Sequence, residues 1–251
     1  MTPAGELTTI YAFCTQTNCT DGYGPSALLQ ASNGSLYGAT YGGVHNPGCP
    51  PYYGCGTIFE ITPAGKFTTI YTFCAQPNCA DSTNAYILQQ ATDGNFYGTA
   101  DSFFGDAGSI FELTSSRELT PLYNFCSEIN CADGTGPEGG MLQGSDGAFY
   151  GTAGGGGTYD YGVVYSLSVG LGPFVETTPT FGKVGAKVII LGNNLKGATR
   201  VAFDGTTATI TGGSNTEITT TVPTGATTGA VEVMTAAGKK LESNVVFQVI
   251  P

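Results

Sequence analysis

The segment TPAGELTTIYAFC (residues 2–14) recurs with few changes as TPAGKFTTIYTFC (residues 62–74). A third and more divergent copy occupies residues 114–126. The first cysteines of successive copies lie 60 and then 52 residues apart, a period typical of chains that stack one structural unit several times. The three predicted repeats extend over about residues 1–61, 62–113 and 114–167.

Each repeat contains four runs with the composition of β-strands. An Asn-Gly or Asp-Gly pair separates the second run from the third and predicts a two-residue hairpin. Adjacent aromatic residues such as Phe96 and Tyr97 point to opposite faces of a strand, so they predict a sheet that is packed on both faces. The runs are residues 7–13, 27–31, 35–40 and 57–61, then 67–73, 86–90, 95–99 and 109–113, then 119–125, 140–143, 148–152 and 163–167.

Four short strands in each repeat predict an all-β fold of three four-stranded, propeller-like blades. Because closed propellers contain about 4–8 blades, three blades form an incomplete ring or stack whose strand edges lack partners. Met1 stands where Ile61 stands, directly before Thr-Pro, so we expect the chain to start at a repeat boundary. The expected partners are copies of this chain or flanking repeats of a longer parent chain. A solenoid of stacked coils is the alternative fold.

Eight cysteines lie within the repeats, and three of their four local pairs share the spacing F-C-x4-C. Four short-range disulfides in an oxidising compartment are predicted, each worth roughly 2 kcal/mol in the chain-entropy model. The alternative is a zinc site, which favours closer cysteine spacing and histidine ligands, whereas His45 is the single histidine. The fourth pair lies in an insertion and is expected to staple a loop and not a core element. The pairs are Cys14 with Cys19, Cys49 with Cys55, Cys74 with Cys79 and Cys126 with Cys131.

Composition changes near Ser168. Residues 1–167 contain 14 acidic and 2 basic residues, whereas residues 168–251 contain 5 acidic and 6 basic residues. Residues 168–172 form a predicted linker, and several alternating runs in the remaining 173–251 predict a small immunoglobulin-like β-sandwich. These runs are residues 187–191, 200–203, 217–222, 230–234 and 244–250.

Charge and the length of apolar runs each argue against one class of partner. The net charge is −11 and charged residues make up 11%, with no basic stripe that could follow a phosphate backbone, so no nucleic acid is expected. No apolar run approaches the roughly 18 residues of a membrane helix, so no direct membrane insertion is expected.

The repeats resemble the bacterial GloVer tandem repeat, which occurs in exported proteins with various C-terminal anchoring signals. The matching segments of the first copy are IYAF (10–13), DGYGP (21–25), SNGSLYGAT (32–40) and GTIFEIT (56–62). The second copy departs at residues 81–85, and the F-C-x4-C pairs are a further departure. The resemblance covers about residues 1–167 and implies export and surface display, without a known activity.

The C-terminal part resembles the IPT/TIG domain, which has an immunoglobulin-like fold. This resemblance implies a surface spacer or a carbohydrate-associated module. The matching segments are PTFGKVG (179–185), VIILGNNL (188–195), VAFDG (201–205), VPTGA (222–226) and GAVEV (229–233).

No residue is assigned a catalytic, metal-binding or cofactor-binding role. His45 is interpreted as a solvated loop residue, and no nucleophile-elbow, zinc-protease or phosphate-loop motif occurs. Asp21, Asp81 and Asp133 recur at one repeat position, and we expect each to accept backbone N–H groups in a turn. Calcium binding or the lining of a channel is the alternative.

Eight aromatic residues fall outside the predicted strands and are candidate contact residues. They suit a subunit interface or stacking on sugars, and packing over neighbouring turns is the structural alternative. These residues are Tyr23, Tyr41, Tyr52, Tyr53, Phe103, Phe104, Tyr159 and Tyr161.

Together these patterns predict a non-enzymatic, extracellular structural or surface protein of a bacterium, either secreted or displayed on the cell. Its disulfide-stapled array is expected to self-associate or to belong to a larger array, such as a filament or surface-layer subunit. The alternatives are a glycan-binding or adhesion module that uses the loop tyrosines, and a polysaccharide hydrolase or lyase.

Overall fold

The computed structural model describes residues 5–44, 49, 54–101 and 107–251. The chain divides into two compact units. The first consists of Met1–Leu142 and Tyr150–Tyr165, and the second of Gln143–Phe149 and Ser166–Pro251. None of the helices within the described residues is long and apolar enough to span a membrane.

The repeats form three separate antiparallel sheets, of four, four and three strands. The first sheet consists of β1 (Tyr23–Gln30), β2 (Leu36–Gly42), β3 (Thr57–Ile61) and β4 (Phe67–Thr72). The second consists of β5 (Asn84–Gln90), β6 (Phe96–Asp101), β7 (Ser109–Leu113) and β8 (Leu119–Asn124). The third consists of β9 (Met141–Gln143), β10 (Phe149–Ala153) and β11 (Val163–Leu167), with β11 at one edge.

The outer strand of each four-stranded sheet comes from the next sequence repeat. The recurring segment that opens the second repeat forms β4, which pairs with β3 so that Phe67 lies opposite Ile61. The segment that opens the third repeat forms β8, which pairs with β7 so that Leu119 lies opposite Leu113. The sheets are therefore displaced by one strand from the repeats in the sequence.

This displacement corrects the prediction for the first repeat. Residues 7–13 were predicted to form a strand like β4 and β8, but they have no strand assignment. A strand needs a partner for its backbone N–H and C=O groups, and no sheet edge within the described residues pairs with this segment. The third sheet correspondingly has three strands, where the repeat pattern predicted four.

The first two sheets pack face to face. The ring of Tyr37 lies 4.4 Å from the ring of Phe96, and the ring of Phe73 lies 5.6 Å from that of Phe111. Phe96 and Tyr97 are both buried although they point to opposite faces of β6. The second sheet is therefore covered on both faces, as predicted.

The third sheet is covered on one face only. Burial alternates along β10, with Phe149 buried and Tyr150 exposed. The adjacent aromatics of β10 predicted two-sided burial, which is wrong here because the face that carries Tyr150 and Thr152 is exposed.

The second unit contains two four-stranded sheets around one core. Ile190 and Ile218 of one sheet and Phe203 and Val233 of the other belong to the same buried cluster. One sheet consists of β12 (Glu176–Thr178), β14 (Lys187–Leu191), β18 (Glu217–Thr221) and β17 (Ile210–Gly213). The other consists of β16 (Thr206–Ala208), β15 (Arg200–Phe203), β19 (Val231–Met234) and β20 (Lys240–Glu242). A short parallel pair joins β13 (Phe181–Gly182) to β21 (Gln248–Val249).

The predicted all-β fold is confirmed, as several small and mostly antiparallel sheets. Four of the five strands predicted in the second unit agree with the structure to within one residue. The fifth, over residues 244–250, is reduced to the two residues of β21, because the chain pairs there with the equally short β13.

Leu113→Ala should destabilise the first unit by about 2–5 kcal/mol, because the side chain is fully buried between the two sheets and its loss leaves a cavity. Ile129→Ala is the control, since this side chain is exposed and its truncation should change stability by less than about 0.5 kcal/mol. Urea unfolding of both variants measures the difference, and equal losses would contradict the packing described above.

Candidate functional site

Three loops, each closed by a disulfide, recur at the same position of the three repeats. We call residues 14–21, 74–81 and 126–133 the cysteine loops. Disulfides join their two cysteines in every case, and a fourth disulfide joins Cys49 to Cys55. All eight cysteines are paired, as the spacing predicted.

Each cysteine loop contains a short 3-10 turn that needs an unusual backbone conformation. Asn18, Asn78 and Asn130 occupy the left-handed region within these turns, with φ of 57°, 57° and 58°. Asparagine tolerates this region better than most side chains because it bonds locally to the backbone. The recurrence of Asn directly before the second cysteine therefore has a conformational cause.

One aspartate holds each loop together. In the second loop the Tyr71 hydroxyl donates to Asp81 Oδ2 at 2.6 Å. The backbone N–H groups of Ala75 and Gln76 donate to the same carboxylate at 3.0 and 3.2 Å. The expectation that this aspartate accepts backbone N–H groups in a turn is confirmed.

The other two loops repeat this arrangement and add one bond. Tyr11 donates to Asp21 at 2.8 Å and Tyr123 donates to Asp133 at 2.7 Å. The hydroxyls of Thr15 and Ser127 donate to the same two carboxylates at 3.0 and 2.9 Å. Sequence analysis missed the tyrosines, although each lies ten residues before its aspartate in all three repeats.

The bonds shift the pKa values of the partners in opposite directions. Burial favours the neutral form of Asp133, but the donors Tyr123 and Ser127 stabilise its charge more and lower its pKa to about 2. Burial, together with the bond to Asp81, raises the pKa of Tyr71 well above its usual value. The same kind of bond lowers the pKa of Asp21 and raises the pKa values of Tyr11 and Tyr123.

This arrangement leaves the aspartates poorly suited to bind an ion or to act on a substrate. Asp21 and Asp81 are fully buried, and their carboxylates already accept four and three hydrogen bonds. A calcium ion would need six to eight oxygen ligands, which would have to displace these bonds. The geometry fits a structural clasp that fixes the loop.

The Cys49–Cys55 disulfide has a different environment from the one predicted. It was expected to staple an extra loop and not a core element, but Cys55 is fully buried and belongs to the core of the first unit. Cys55 also forms a β-bridge with Val44. The sulfur atoms of Cys49, Cys55 and Cys74 lie within 4.8 Å of one another, and all three are committed to disulfides. The insertion is thus anchored to the core beside the second cysteine loop.

The candidate contact aromatics do not gather at one place. Tyr23 lies in β1 and Tyr41 in β2, so both belong to strands, where loop positions were predicted, and both are half-buried. Tyr159 and Tyr161 are largely exposed, as a contact role requires. The remaining four, Tyr52, Tyr53, Phe103 and Phe104, lie outside the described residues, as does His45.

Exposed apolar side chains mark the two ends of the array of sheets. We call Leu7, Ile10 and Leu28 the leading surface. We call Leu142, Tyr150 and Val164, which lie on the exposed face of the third sheet, the trailing surface. All six side chains are exposed. For several of them, the equivalent residue in another repeat is buried, as Leu88 is at the position of Leu28 and Ile110 at the position of Val164. Exposed apolar patches of this kind commonly mark protein interfaces.

Comparison with protein families identifies the repeats. A model of the Gloeobacter/Verrucomicrobia repeat matches residues 1–222. The chain belongs to this repeat family. The resemblance predicted from the sequence is thereby confirmed for the three repeats, and the match continues into the second unit.

Other comparisons say little about activity. No curated protein matches significantly. Among solved structures, 17 chains match. One is the X-ray structure of a protein with a provisional gluconolactonase assignment, with 16% sequence identity and a TM-score of 0.32, over 78% of this chain and 58% of that chain. The repeat protein thus spans less than two thirds of that structure, and a likeness this weak carries no argument about function.

Asp81→Asn should lower the stability of the first unit by about 1–3 kcal/mol, because an amide nitrogen would face N–H donors inside a buried loop. Asp146→Asn is the matched control. Asp146 accepts the Ala148 N–H at 3.1 Å in a hairpin turn, and Asn33 accepts the Ser35 N–H at 3.0 Å in the first repeat. Thermal unfolding should therefore be nearly unchanged in the control, and an equal loss in both variants would contradict the clasp.

The third cysteine loop should lose stability only in strong acid. The pKa of Asp133 is lowered to about 2, so its contribution is fully present above the unfolded-state pKa of about 3.9. That contribution is lost as the pH falls from about 4 towards 2. Carboxyl-carbon chemical shifts against pH measure this titration, and Tyr123→Phe should raise its midpoint. A midpoint near 4 in the unmodified protein would show that the bonds do not form.

Proposed function

We propose that this repeat protein is a non-enzymatic, extracellular structural protein of a bacterium, either secreted or displayed at the cell surface. Its array of sheets associates with copies of itself or with neighbouring repeats, as a subunit of a filament or a surface layer would. The main support for this proposal is that apolar side chains are buried between sheets inside the array and exposed at its two ends.

Disulfides support the extracellular part of the proposal. Every repeat carries a cysteine loop, and short disulfides of this kind persist in oxidising compartments. The low content of charged side chains, 11%, is compatible with a surface that is partly covered by further protein.

The use of the carboxylates supports a structural role. The three repeated aspartates are engaged within the cysteine loops, and Glu60 and Glu112 accept hydrogen bonds from Tyr37 and Tyr97. A hydrolase or lyase would instead need a carboxylate that is open to substrate. Turnover on a panel of polysaccharides, abolished by one carboxylate substitution, would overturn this part of the proposal.

The second unit is proposed to be an IPT/TIG domain that acts as a spacer. Its two four-stranded sheets around one core support an immunoglobulin-like sandwich, in agreement with the segments that resemble the domain. The spacer would carry the repeats without contributing a catalytic site.

The association is tested by the native mass of the full chain, measured by light scattering over a wide range of concentrations at low and high salt. We expect a mass that is a multiple of 25.7 kDa and that persists at high salt, because burial of apolar surface is not screened by ions. A monomer under every condition would contradict the proposal.

Glycan binding is a second candidate function, favoured by the exposure of Tyr159 and Tyr161 in the third repeat. A glycan array would reveal binding that is lost in a Tyr159→Ala, Tyr161→Ala double variant and retained in Ile129→Ala, which truncates an exposed apolar side chain of the third cysteine loop. The absence of any signal from the unmodified protein would remove this candidate.

A further inference from the structure

We infer that residues 7–12 of one copy pair with the free edge of β11 in a second copy and supply the fourth strand of its third sheet. This inference rests on the proposed self-association and names the two surfaces that meet. The chemical partner is a second copy of this chain, because the segment that fills the equivalent place in the other sheets occurs again at residues 7–12.

The first two sheets show which segment the third sheet lacks. In both, the third strand of the sheet pairs antiparallel with a strand that carries the recurring segment, as β3 does with β4 and β7 with β8. The third sheet ends at β11, which corresponds to β3 and β7, and no strand of the described chain pairs with its outer edge. An unpaired edge of this kind is a template for one more strand.

Residues 7–12 have the sequence of a fourth strand without its partner. Leu7 is 94% exposed, whereas Leu119 at the same repeat position in β8 is 5% exposed. Ile10 is also exposed, at 63%. Leu7 is thus an apolar side chain that its counterpart in the second sheet buries, and Ile10 adds a second exposed apolar side chain.

The end of this segment is nevertheless fixed in the position that the repeat pattern requires. The ring of Phe13 lies 5.0 Å from that of Phe59 in β3. The equivalent pairs, Phe73 with Phe111 and Phe125 with Tyr165, lie 5.6 and 5.0 Å apart. Because Phe13 already occupies its place on the first sheet, the residues before it are held where a preceding sheet would meet them.

The acceptor edge shows the complementary exposure. Val164 of β11 is 79% exposed, whereas Ile110 at the same position of β7 is 1% exposed and lies opposite Tyr123 of β8. A fourth strand on β11 would place Tyr11 opposite Val164. The apolar side chain that is buried at this position in the second sheet is therefore open to solvent in the third.

The faces of the two end sheets match in the same way. Leu28 on the first sheet is 62% exposed, whereas its counterpart Leu88 on the second sheet is 5% exposed. Between the first two sheets, Tyr37 packs on Phe96. Their counterparts at the ends are Tyr150 on the trailing surface and Leu36 beside the leading surface, so the same packing can form between two copies.

Repeat equivalence also fixes the register. The pairs Phe59 with Thr69 and Ile58 with Tyr71 predict that Thr9 lies opposite Tyr165 and Tyr11 opposite Val164. The pair Thr57 with Thr72 predicts that Ala12 lies opposite Val163. Two copies that exchange the segment form a closed pair, and copies that pass it in one direction form a chain.

Proline substitution tests the strand pairing without disturbing the fold of one copy, since residues 8 and 9 are exposed. β8 already carries Pro121 at the position of Thr9, which indicates that the N–H at this position points away from the acceptor strand. Thr9→Pro should therefore assemble like the unmodified protein. Thr8→Pro removes an adjacent N–H that points to the acceptor and should abolish the assembled species.

A second pair of variants tests the acceptor. Val164→Lys should abolish assembly, because it places a charge where an apolar strand must pack. Val245→Lys is the matched control, since this valine is also exposed but belongs to the second unit, and its assembly should be unchanged. Unfolding curves of both variants should overlay that of the unmodified protein.

Crosslinking tests the register. One tagged copy carries Ala12→Cys and a differently tagged copy carries Val163→Cys, and mild oxidation with peptide mass spectrometry should detect a disulfide between the two copies. Ala12→Cys with Val164→Cys, which faces the other side of the strand, should crosslink far less.

The outcomes separate this inference from the proposed function. Assembly that survives Thr8→Pro and Val164→Lys and yields no crosslink would overturn the inference and leave self-association through another surface. A crosslink that forms only within single copies carrying both cysteines would show that the segment folds back on its own β11, which also overturns it. A monomer under all conditions would overturn both proposals. Loss of assembly in Thr8→Pro but not Thr9→Pro, with the inter-copy crosslink, supports the inference.

Discussion

The hydrogen-bonded contact between the third strand of one repeat and the first strand of the next is the constraint on which the array depends. A lone strand cannot satisfy its backbone groups, so β4 and β8 exist because β3 and β7 precede them. The same contact joins neighbouring repeats, because the chain that leaves one sheet at its outer strand continues through a cysteine loop into the next sheet. Pairing within a sheet and linkage between sheets are thus one interaction.

The cysteine loops make this linkage rigid. The second and third follow outer strands, and the disulfide, the left-handed asparagine and the aspartate of each restrict the chain between two sheets. The tyrosine that binds the aspartate lies in the preceding strand or segment, so the loop is bonded to the element that it follows. A disulfide limits the conformations of the unfolded chain. The hydrogen bonds to the carboxylate then stabilise the native conformation of the loop over the others. The cysteine loops thus fix the link locally, and contacts between sheets such as Tyr37 with Phe96 add to it.

Much of the array follows from the sequence alone. The recurring segment, the Asp-Gly hairpins and the cysteine spacing correctly predict the strands, the turns and the disulfides. The prediction of a strand at residues 7–13 is wrong. The sequence pattern shows that the segment is suited to a strand, but a strand also needs a neighbouring strand with which to form hydrogen bonds. The hydrogen bond from Tyr71 to Asp81 was not predicted, because the turn preference of the aspartate says nothing about its partner. The available signal is that a tyrosine lies ten residues before the aspartate in all three repeats. The burial of Cys55 was missed because it depends on Val44 and on neighbouring strands, which no local pattern records.

The one-strand displacement has a consequence for how such a protein can change its length. A duplicated or deleted stretch that spans one whole period, wherever it begins, still joins a third strand to a suitable outer strand. The number of sheets can therefore change by recombination, because each new boundary forms the same pairing of a third strand with an outer strand. The residues of the two terminal surfaces stay the same. Genes of this kind can grow or shrink in whole units and still encode a continuous series of paired sheets.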